Sequence, residues 1–448
     1  MNYFTLPSSP FTIFQNIKIE TGSSFPPIFI SHSLCNYMND IKEKITSREK
    51  EWDVYKKYTN PYEYIHSIVP QKKKSISKYK PISRSYFKML EMIAEFKLDE
   101  SALQDTIRTF HLAEGPGGFI EAICNKRNNP ADEYYGMTII YDETDDNVPA
   151  WHKTSHFLSQ HPNVNIEYGI DQTGNLLHIE NFEYCVKKYG ASMDLVTADG
   201  GFDFSKDFNH QEISITNLLW GQVCYALCLQ AKGGSFVLKI FDVFYEHTVD
   251  ILYILSAFYE EVNVCKLRTS RVGNSEKYVV CKGFRPSTSF NYYPTILESF
   301  SKINQVSSPL KEVIFVEKIR KMDIFAKEPH FGIPTIDKMD SYVWRLLDCK
   351  IPRYFTKQIE DMNAIFGQQQ IENIHYTISL IDKQPKQDKL DQLVKQNITK
   401  CVNWCMEHSI AYNNLTTTNL FDGGNLRSEG GQSIRLQRPF ASLTVADV

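Results

Sequence analysis

Four charged side chains stand in apolar surroundings, where a charge needs a reason. Lys239 lies inside "GSFVLKIF" between Leu238 and Ile240, Asp199 ends "DLVTAD" ahead of Gly200 and Gly201, Glu276 comes just before the apolar run of "EKYVV", and Lys88 falls early in "YFKMLEMIAEF". A charge among apolar residues costs free energy unless it is paired or its protonation is shifted. Lys239 therefore has two readings. It forms an ion pair or snorkels out at a strand end, or it is a base. Lysine ordinarily titrates near ~10.4; burial and a second lysine lower that value, while carboxylates raise it and fix the ammonium. Two lysines and two acids around one acceptor would make a tunable general base, serving a hydroxyl that loses its proton as it attacks.

A second pattern describes a ligand seat. In "FHLAEGPGGFIEAI" an apolar run ends at Glu114, Gly115-Pro116-Gly117-Gly118 make a tight turn, and helical spacing starts around Phe119. The turn lacks G-x-G-x-x-G and no G-K-[ST] follows, so two common phosphate loops are excluded. Glu114 would repel a triphosphate and suits a ligand that carries positive charge.

These residues need a scaffold that brings them to one edge. Between about 107 and 285, strand patterns ("TFHLAE", "EYYGMTII", "NVNIEYG", "MDLVTADG", "GSFVLKIF", "EVNVCKL", "EKYVVCKGF") alternate with helical patterns after Gly118 and around 150–159, 176–189, 211–231 and 246–260. The alternation predicts an α/β fold, an open and mainly parallel sheet with helices on both faces. Ligands in such sheets bind outside the carboxyl ends of the strands, where Glu114, Asp199 and, near its strand's end, Lys239 fall. Residues 1–45 read as turns and short helices, 46–59 as helical, 290–412 as mostly helical, and the Asn/Thr/Gly/Ser-rich stretch from 413 as a flexible tail.

The chain has 448 residues, 42% hydrophobic and 23% charged, with a net charge of −4, so binding to a polyanion requires a local basic patch. No apolar run of about 18 residues and no leader pattern is present, which predicts no membrane span and no secretion. Ten cysteines without a C-x-x-C argue against a disulfide scaffold and for a reducing cytosolic or nuclear setting. Cys224 and Cys228 read as core thiols. Cys401, Cys405 and His408 have ligand-like spacing but no second cluster to complete a metal site, so they read as packing.

Taken in order, "HLAEGPGGFIEA", "DLVTADGGFDF", "GGSFVLKIFD" and "SRVGNSEKYVVCKGF" resemble the motifs of FtsJ-like, S-adenosylmethionine-dependent 2′-O-methyltransferases, and among these the cap-specific mRNA enzymes of eukaryotes and large DNA viruses. The resemblance covers about residues 55–285. It implies a Rossmann-like methyltransferase fold with a seven-stranded sheet, dividing the chain into an N-terminal segment (1–54), a methyltransferase domain (55–290), a helical extension (291–412) and a tail (413–448). The family's K-D-K-E tetrad falls on Lys88, Asp199, Lys239 and Glu276. Lys239 would accept the proton of a ribose 2′-hydroxyl, Lys88 and Asp199 would orient and tune it, and Glu276 would complete the network. Glu114, Gly115, Pro116, Gly117, Gly118 and Phe119 would hold the methionine and ribose side of S-adenosylmethionine. Asp171, in "EYGIDQTGNLLHIENF", would meet the adenine, although Gln172, Thr173 and Asn175 stand where the family often carries acids. The "HL-x-E" form resembles enzymes acting on the second transcribed nucleotide and "TNPYEYI" those acting on the first, so both targets stay open. No metal is implied.

Lys72, Lys73, Lys74, Lys78, Lys80 and Arg84 concentrate positive charge ahead of Lys88, with Tyr79 and Tyr86 interleaved as stacking platforms, and Lys266, Arg268 and Arg271 would extend the patch. Alone, such a run is a solvated loop. Beside Lys88 it reads as a channel for capped mRNA or other RNA. Methylation of ribosomal or transfer RNA, and a non-catalytic RNA-binding or scaffold protein that keeps the fold, are the alternatives.

Overall fold

The structure, a computed structural model, describes residues 2–98, 106–140, 151, 154–201, 209–306 and 342–415. The tail from 416, and Phe202 to Phe204 of the second motif, lie outside the described residues. The described residues form ten strands: β1 (Asn2–Thr5), β2 (Ile17–Gly22), β3 (Arg108–Leu112), β4 (Glu133–Met137), β5 (Val164–Ile166), β6 (Met193–Ala198), β7 (Gln230–Ile240), β8 (Tyr259–Lys266), β9 (Lys277–Phe284) and β10 (Tyr342–Leu347). Eight of them form one sheet in the order β1-β8-β9-β7-β6-β3-β4-β5. β5, β4, β3, β6 and β7 run parallel. β9 runs antiparallel between β7 and β8. This is the Rossmann-like α/β arrangement expected, with one strand more than seven.

The extra strand corrects the expectation for the N-terminus. β1 pairs with β8, and β2 pairs with β10, where turns and short helices were expected. β1 is four residues long, too short for a two-residue period to register, and its partner lies far along the chain. By pairing, β1 covers what would otherwise be an open edge.

Two cores sandwich the sheet. On one face, Phe236, Leu238 and Ile240 of β7 pack with the helices Thr216–Leu229 and Glu246–Phe258 and with Phe355, Ile359, Met362 and Phe366 of the long helix Arg353–Lys383. On the other face, Leu195, Val237, Tyr278 and Val280 pack with the helices Ser85–Phe96 and Gly118–Arg127 and with Val394, Ile398, Cys401, Trp404 and Cys405 of the helix Gln387–Glu407. The C-terminal helices therefore share both cores with the sheet. Cys224, Cys228, Cys401 and Cys405 are buried, and every cysteine is a free thiol.

Helix Gly118–Arg127 carries Glu121 in its first turn and Lys126 and Arg127 in its last, which complements its dipole, and it ends on left-handed Asn128. Helix Ser85–Phe96 buries nine of its twelve residues, so its interior position rather than an amphipathic stripe dictates its apolar composition.

Trp404 is fully buried, with its ring centroid 5.8 Å from Phe87 and 4.2 Å from His408. Trp404→Ala should cost about 3–5 kcal/mol of unfolding free energy through the cavity it leaves. Urea denaturation followed by far-UV circular dichroism checks this; a loss below about 1 kcal/mol would show that the extension does not share this core.

Candidate active site

Strand register delivers three of the four charges to one edge, and a helix delivers the fourth. β6 and β7 pair Ala198 with Leu238, so the next residues, Asp199 and Lys239, emerge side by side. β7 and β9 pair Lys239 with Tyr278, and Glu276 directly precedes β9. Lys88 arrives from helix Ser85–Phe96 on the same face.

Two ion pairs result. Lys239 Nζ donates to the Asp199 carbonyl oxygen at 2.7 Å and lies 3.2 Å from Asp199 Oδ1. Lys88 Nζ lies 2.7 Å from Glu276 Oε2. Tyr278 joins the pairs: its hydroxyl donates to Asp199 Oδ1 at 2.8 Å and accepts from Lys88 Nζ at 3.3 Å. Ser270 Oγ donates to Glu276 Oε1 at 2.6 Å. None of the four tetrad side chains is more than 15% exposed, so each charge is largely desolvated yet still reachable. Burial pushes the Lys88 ammonium below the ordinary lysine value, and Arg84 and Lys239 push the same way against Glu276 and Asp199. Against the cost of burial, Lys88 and Lys239 hold the Glu276 carboxyl well below the usual carboxylate range. A Cβ on Gly201 would sit 3.1 Å from Lys239 Nζ and crowd the lysine by a few tenths of an ångström.

Tyr278 was missed as a site residue. Its signal was available, since residues two apart on a strand share a face and Tyr278 follows Glu276 by two.

The loop from Leu267 to Glu276 is held from below. Glu91 accepts the Arg268 and Thr269 N–H groups at 2.7 and 3.1 Å and the Thr269 hydroxyl at 2.9 Å. Arg271 donates to both oxygens of buried Glu63 at 3.0 and 2.8 Å. Arg268 pairs with Glu407 at 2.7 Å, and Lys266 Nζ donates to the Glu276 carbonyl at 2.8 Å. Lys266, Arg268 and Arg271, expected to extend a cationic channel, are thus each engaged by a protein carboxylate or carbonyl, and the Arg268 and Arg271 side chains stay 30% and 23% exposed. Arg84 donates to the Thr269 carbonyl at 3.2 Å and lines a small pocket with Tyr62, Glu63, Ile65, His66, Phe87 and Thr269.

The glycine turn lies at the same edge, because β3 and β6 pair Leu112 with Ala198. Gly117 has φ 102°, which an L side chain adopts only with strain, and a Cβ there would sit 3.1 Å from the Trp151 ring. Gly118 begins the helix, and Phe119 is fully buried with its ring 6.0 Å from that of Tyr278, so Phe119 supports the turn from the core instead of opening onto it. Glu114 is buried; its Oε1 accepts from the Thr197 hydroxyl and lies 3.3 Å from His111 Nδ1, while its Oε2 has no hydrogen-bond partner among the described residues. A buried carboxylate oxygen without a donor fits the ammonium group of a methionine moiety, so the turn suits S-adenosylmethionine.

Asp171 is committed to its own loop. Its Oδ1 accepts from the Thr173 N–H and hydroxyl and from the Asn181 amide at 2.8–2.9 Å, and His178 Nδ1 lies 2.5 Å from its Oδ2. Lys73, Lys74, Lys78 and Lys80 are exposed and Lys72 is half-buried. Lys80 hydrogen-bonds Ser75 Oγ. Tyr79 is exposed at its ring, and its hydroxyl donates to Glu121 at 2.7 Å. Tyr86 is buried in the first turn of its helix and cannot offer a stacking face, contrary to expectation.

A mainly parallel sheet with helices on both faces and a glycine turn at its carboxyl edge is a methyltransferase-like fold. Residues 81–284 match the family model described as FtsJ-like methyltransferase. The chain is FtsJ-like over that segment and is distantly related to the cap-specific mRNA 2′-O-methyltransferases 1 and 2. It is 26% identical over 300 residues to cap-specific mRNA (nucleoside-2′-O-)-methyltransferase 2 of Drosophila melanogaster, covering 62% of this chain and 40% of that protein. The Danio rerio protein of the same name is 30% identical over 284 residues, covering 57% and 34%. Cap-specific mRNA (nucleoside-2′-O-)-methyltransferase 1 of Trypanosoma brucei brucei is 45% identical over 119 residues, covering 26% and 32%. The chain thus spans 32% to 40% of the length of these three relatives. Among solved structures, a putative ribosomal RNA methyltransferase of Plasmodium falciparum matches with a TM-score of 0.33 at 18% identity, covering 45% of this chain and 97% of that chain, and nothing further follows from a likeness at that level.

Glu63, like Glu276, is held below the usual carboxylate range, by Arg271 and Arg84 against the cost of burial. The unfolded chain therefore takes up protons at higher pH than the folded one. The stability these carboxylates contribute is complete above about pH 4.3 and is lost as pH falls below it. Glu63→Gln should lower stability at pH 7 and flatten its decline between about pH 5 and pH 3. Urea titrations across that range check this; a parallel decline in parent and variant would contradict it.

Proposed function

We propose that the protein methylates a ribose 2′-hydroxyl of RNA, and that its target is the first or second transcribed nucleotide of capped mRNA. The observation that carries this reading is Lys239, held against Asp199 and facing Tyr278 at the carboxyl edge of the sheet, beside a glycine turn with a free buried carboxylate oxygen. Glu114 and the turn from Gly115 to Gly118 would hold S-adenosylmethionine, and Asp171 would shape the loop on its adenine side. When bound, that group supplies a methyl carbon already activated toward nucleophiles.

The chain's own residues orient and deprotonate the hydroxyl. Lys239 Nζ, as the neutral amine, accepts the 2′-hydroxyl proton as the oxygen attacks and becomes the ammonium that Asp199 holds through its carbonyl and carboxylate. Lys88 and Glu276 neutralise one another, and Tyr278 links them to Asp199. Alignment and proton removal are the main demands on such a site. The basic segment around Lys72, Lys73, Lys74 and Lys78 would track RNA phosphates, with Arg84 nearer the tetrad.

Incubation with labelled S-adenosylmethionine and matched capped and uncapped RNAs, followed by nuclease digestion and mass spectrometry, tests the reading. Label should appear as a 2′-O-methyl group at the first or second nucleotide of the capped RNA, and Lys239→Ala should lower turnover by about two orders of magnitude or more. Equal labelling of uncapped ribosomal or transfer RNA favours those targets, and no labelling with intact RNA binding favours a non-catalytic protein.

A second measurement addresses the RNA path. Replacing Lys72, Lys73 and Lys74 by Gln should reduce the slope of log affinity against log salt by about 0.7 per lost phosphate contact, up to about 2 in all. An unchanged slope would show that these lysines are solvated surface charge.

A further inference from the structure

The strand ends that carry the tetrad have a second charged cluster behind them. Lys277 follows Glu276 and points to the opposite face, where its Nζ donates to the carbonyls of Phe241 and Ser275 at 3.0 and 2.9 Å and lies 3.4 Å from Asp242 Oδ1. Asp242 Oδ2 accepts from Lys42 Nζ at 2.7 Å and from Ser275 Oγ at 2.9 Å. Lys42, Asp242, Ser275 and Lys277 are each at most 8% exposed. From helix Arg353–Lys383, Gln370 Nε2 reaches the Gly273 carbonyl at 3.3 Å and Ser275 Oγ at 3.4 Å, and Asn363 donates to the Val243 carbonyl at 2.6 Å.

Buried ion clusters are a poor route to stability, because apolar residues of similar volume do as well or better. This cluster's placement suggests a different use. Asp242 is three residues past Lys239, and two of its three side-chain partners, Ser275 and Lys277, flank Glu276. The clamp spans the two strand ends whose relative position sets how the Lys239–Asp199 pair meets the Lys88–Glu276 pair. Among the described residues, the Glu276 carboxylate has Lys88 and Ser270 as its side-chain hydrogen-bond partners. Its aim therefore depends on where its backbone is held.

We propose that Asp242 is a positioning residue for the tetrad: by binding Ser275 and Lys277 to the end of β7 from behind the sheet, it presents Glu276 to Lys88. The consequence for turnover rests on the methyl-transfer reading above, whereas the consequence for the Glu276–Lys88 contact does not.

The test uses Asp242→Asn in the full chain, with Asp242→Asn/Lys42→Met as a charge-balanced partner should the single variant fail to fold. Three readouts are taken: the Lys88–Glu276 distance by crystallography, kcat and KM with capped RNA, and cofactor affinity by calorimetry. The 2.7 Å contact should be lost. Turnover should fall by about 10-fold to 100-fold, as misplacement of a catalytic group by about 1 Å does, with KM and cofactor affinity within about two-fold of the parent. In a Glu276→Gln background the added loss should shrink to below about two-fold, because the two changes act on one element. A merely structural cluster would lower the melting temperature and leave the contact and kcat per folded molecule unchanged. Retention of the contact overturns the assignment, as does parent-like turnover or a full independent loss in the Glu276→Gln background. A parent protein that methylates no RNA would defeat the methyl-transfer reading alone, and the contact would still decide the role of Asp242.

Discussion

Two ammonium groups, Lys88 and Lys239, share one largely desolvated edge of the sheet, and neither can remain there without a carboxylate of its own. Much of the local architecture follows from that constraint. Lys239 takes Asp199 from the neighbouring parallel strand, and Lys88 takes Glu276 from the start of the antiparallel one. Tyr278, a neutral phenol, joins the two pairs without adding a charge. Like charges held close need intervening acids and fixed geometry, which is also what a proton-transfer site needs.

Holding the acids in place draws in the rest of the chain. Glu63 and Glu91 are buried carboxylates whose work is to fix the loop that ends at Glu276, one through Arg271 and the other through backbone N–H groups. The helices at the C-terminus reach the same loop through Arg268–Glu407 and through Gln370. The N-terminal and C-terminal segments are accordingly joined to the edge that carries the four charges by polar contacts as well as by the two cores, and the candidate site is better described as the meeting point of three parts of the chain than as a feature of the central one.

What could be seen in the sequence was whatever broke a pattern. Lys239 interrupted an apolar strand, Asp199 ended one ahead of two glycines, and the Gly-Pro-Gly-Gly turn separated a strand from a helix; each lies at the carboxyl edge of the sheet. The β–α alternation likewise predicted the order of elements. Partners were much less visible. Arg268 and Arg271 look like free cations in a sequence, and only the fold brings Glu407 and Glu63 to them. Tyr86 looked like a stacking platform because a single aromatic residue in a first helical turn gives no sign of which way it faces. β1 and β2 were invisible because short strands depend on distant partners. Asp171 was marked by its neighbours, yet the loop uses its carboxylate to brace Thr173, Asn181 and His178.

The central claim is that Lys239 meets the reacting hydroxyl. A crystal structure of the protein with S-adenosylhomocysteine and a short capped RNA tests it most directly. The account predicts the target 2′-oxygen within about 3.2 Å of Lys239 Nζ, with the amino group of the ligand on Glu114 Oε2. A ribose seated elsewhere, with Lys239 still closed on Asp199 and no RNA oxygen in reach, would contradict it.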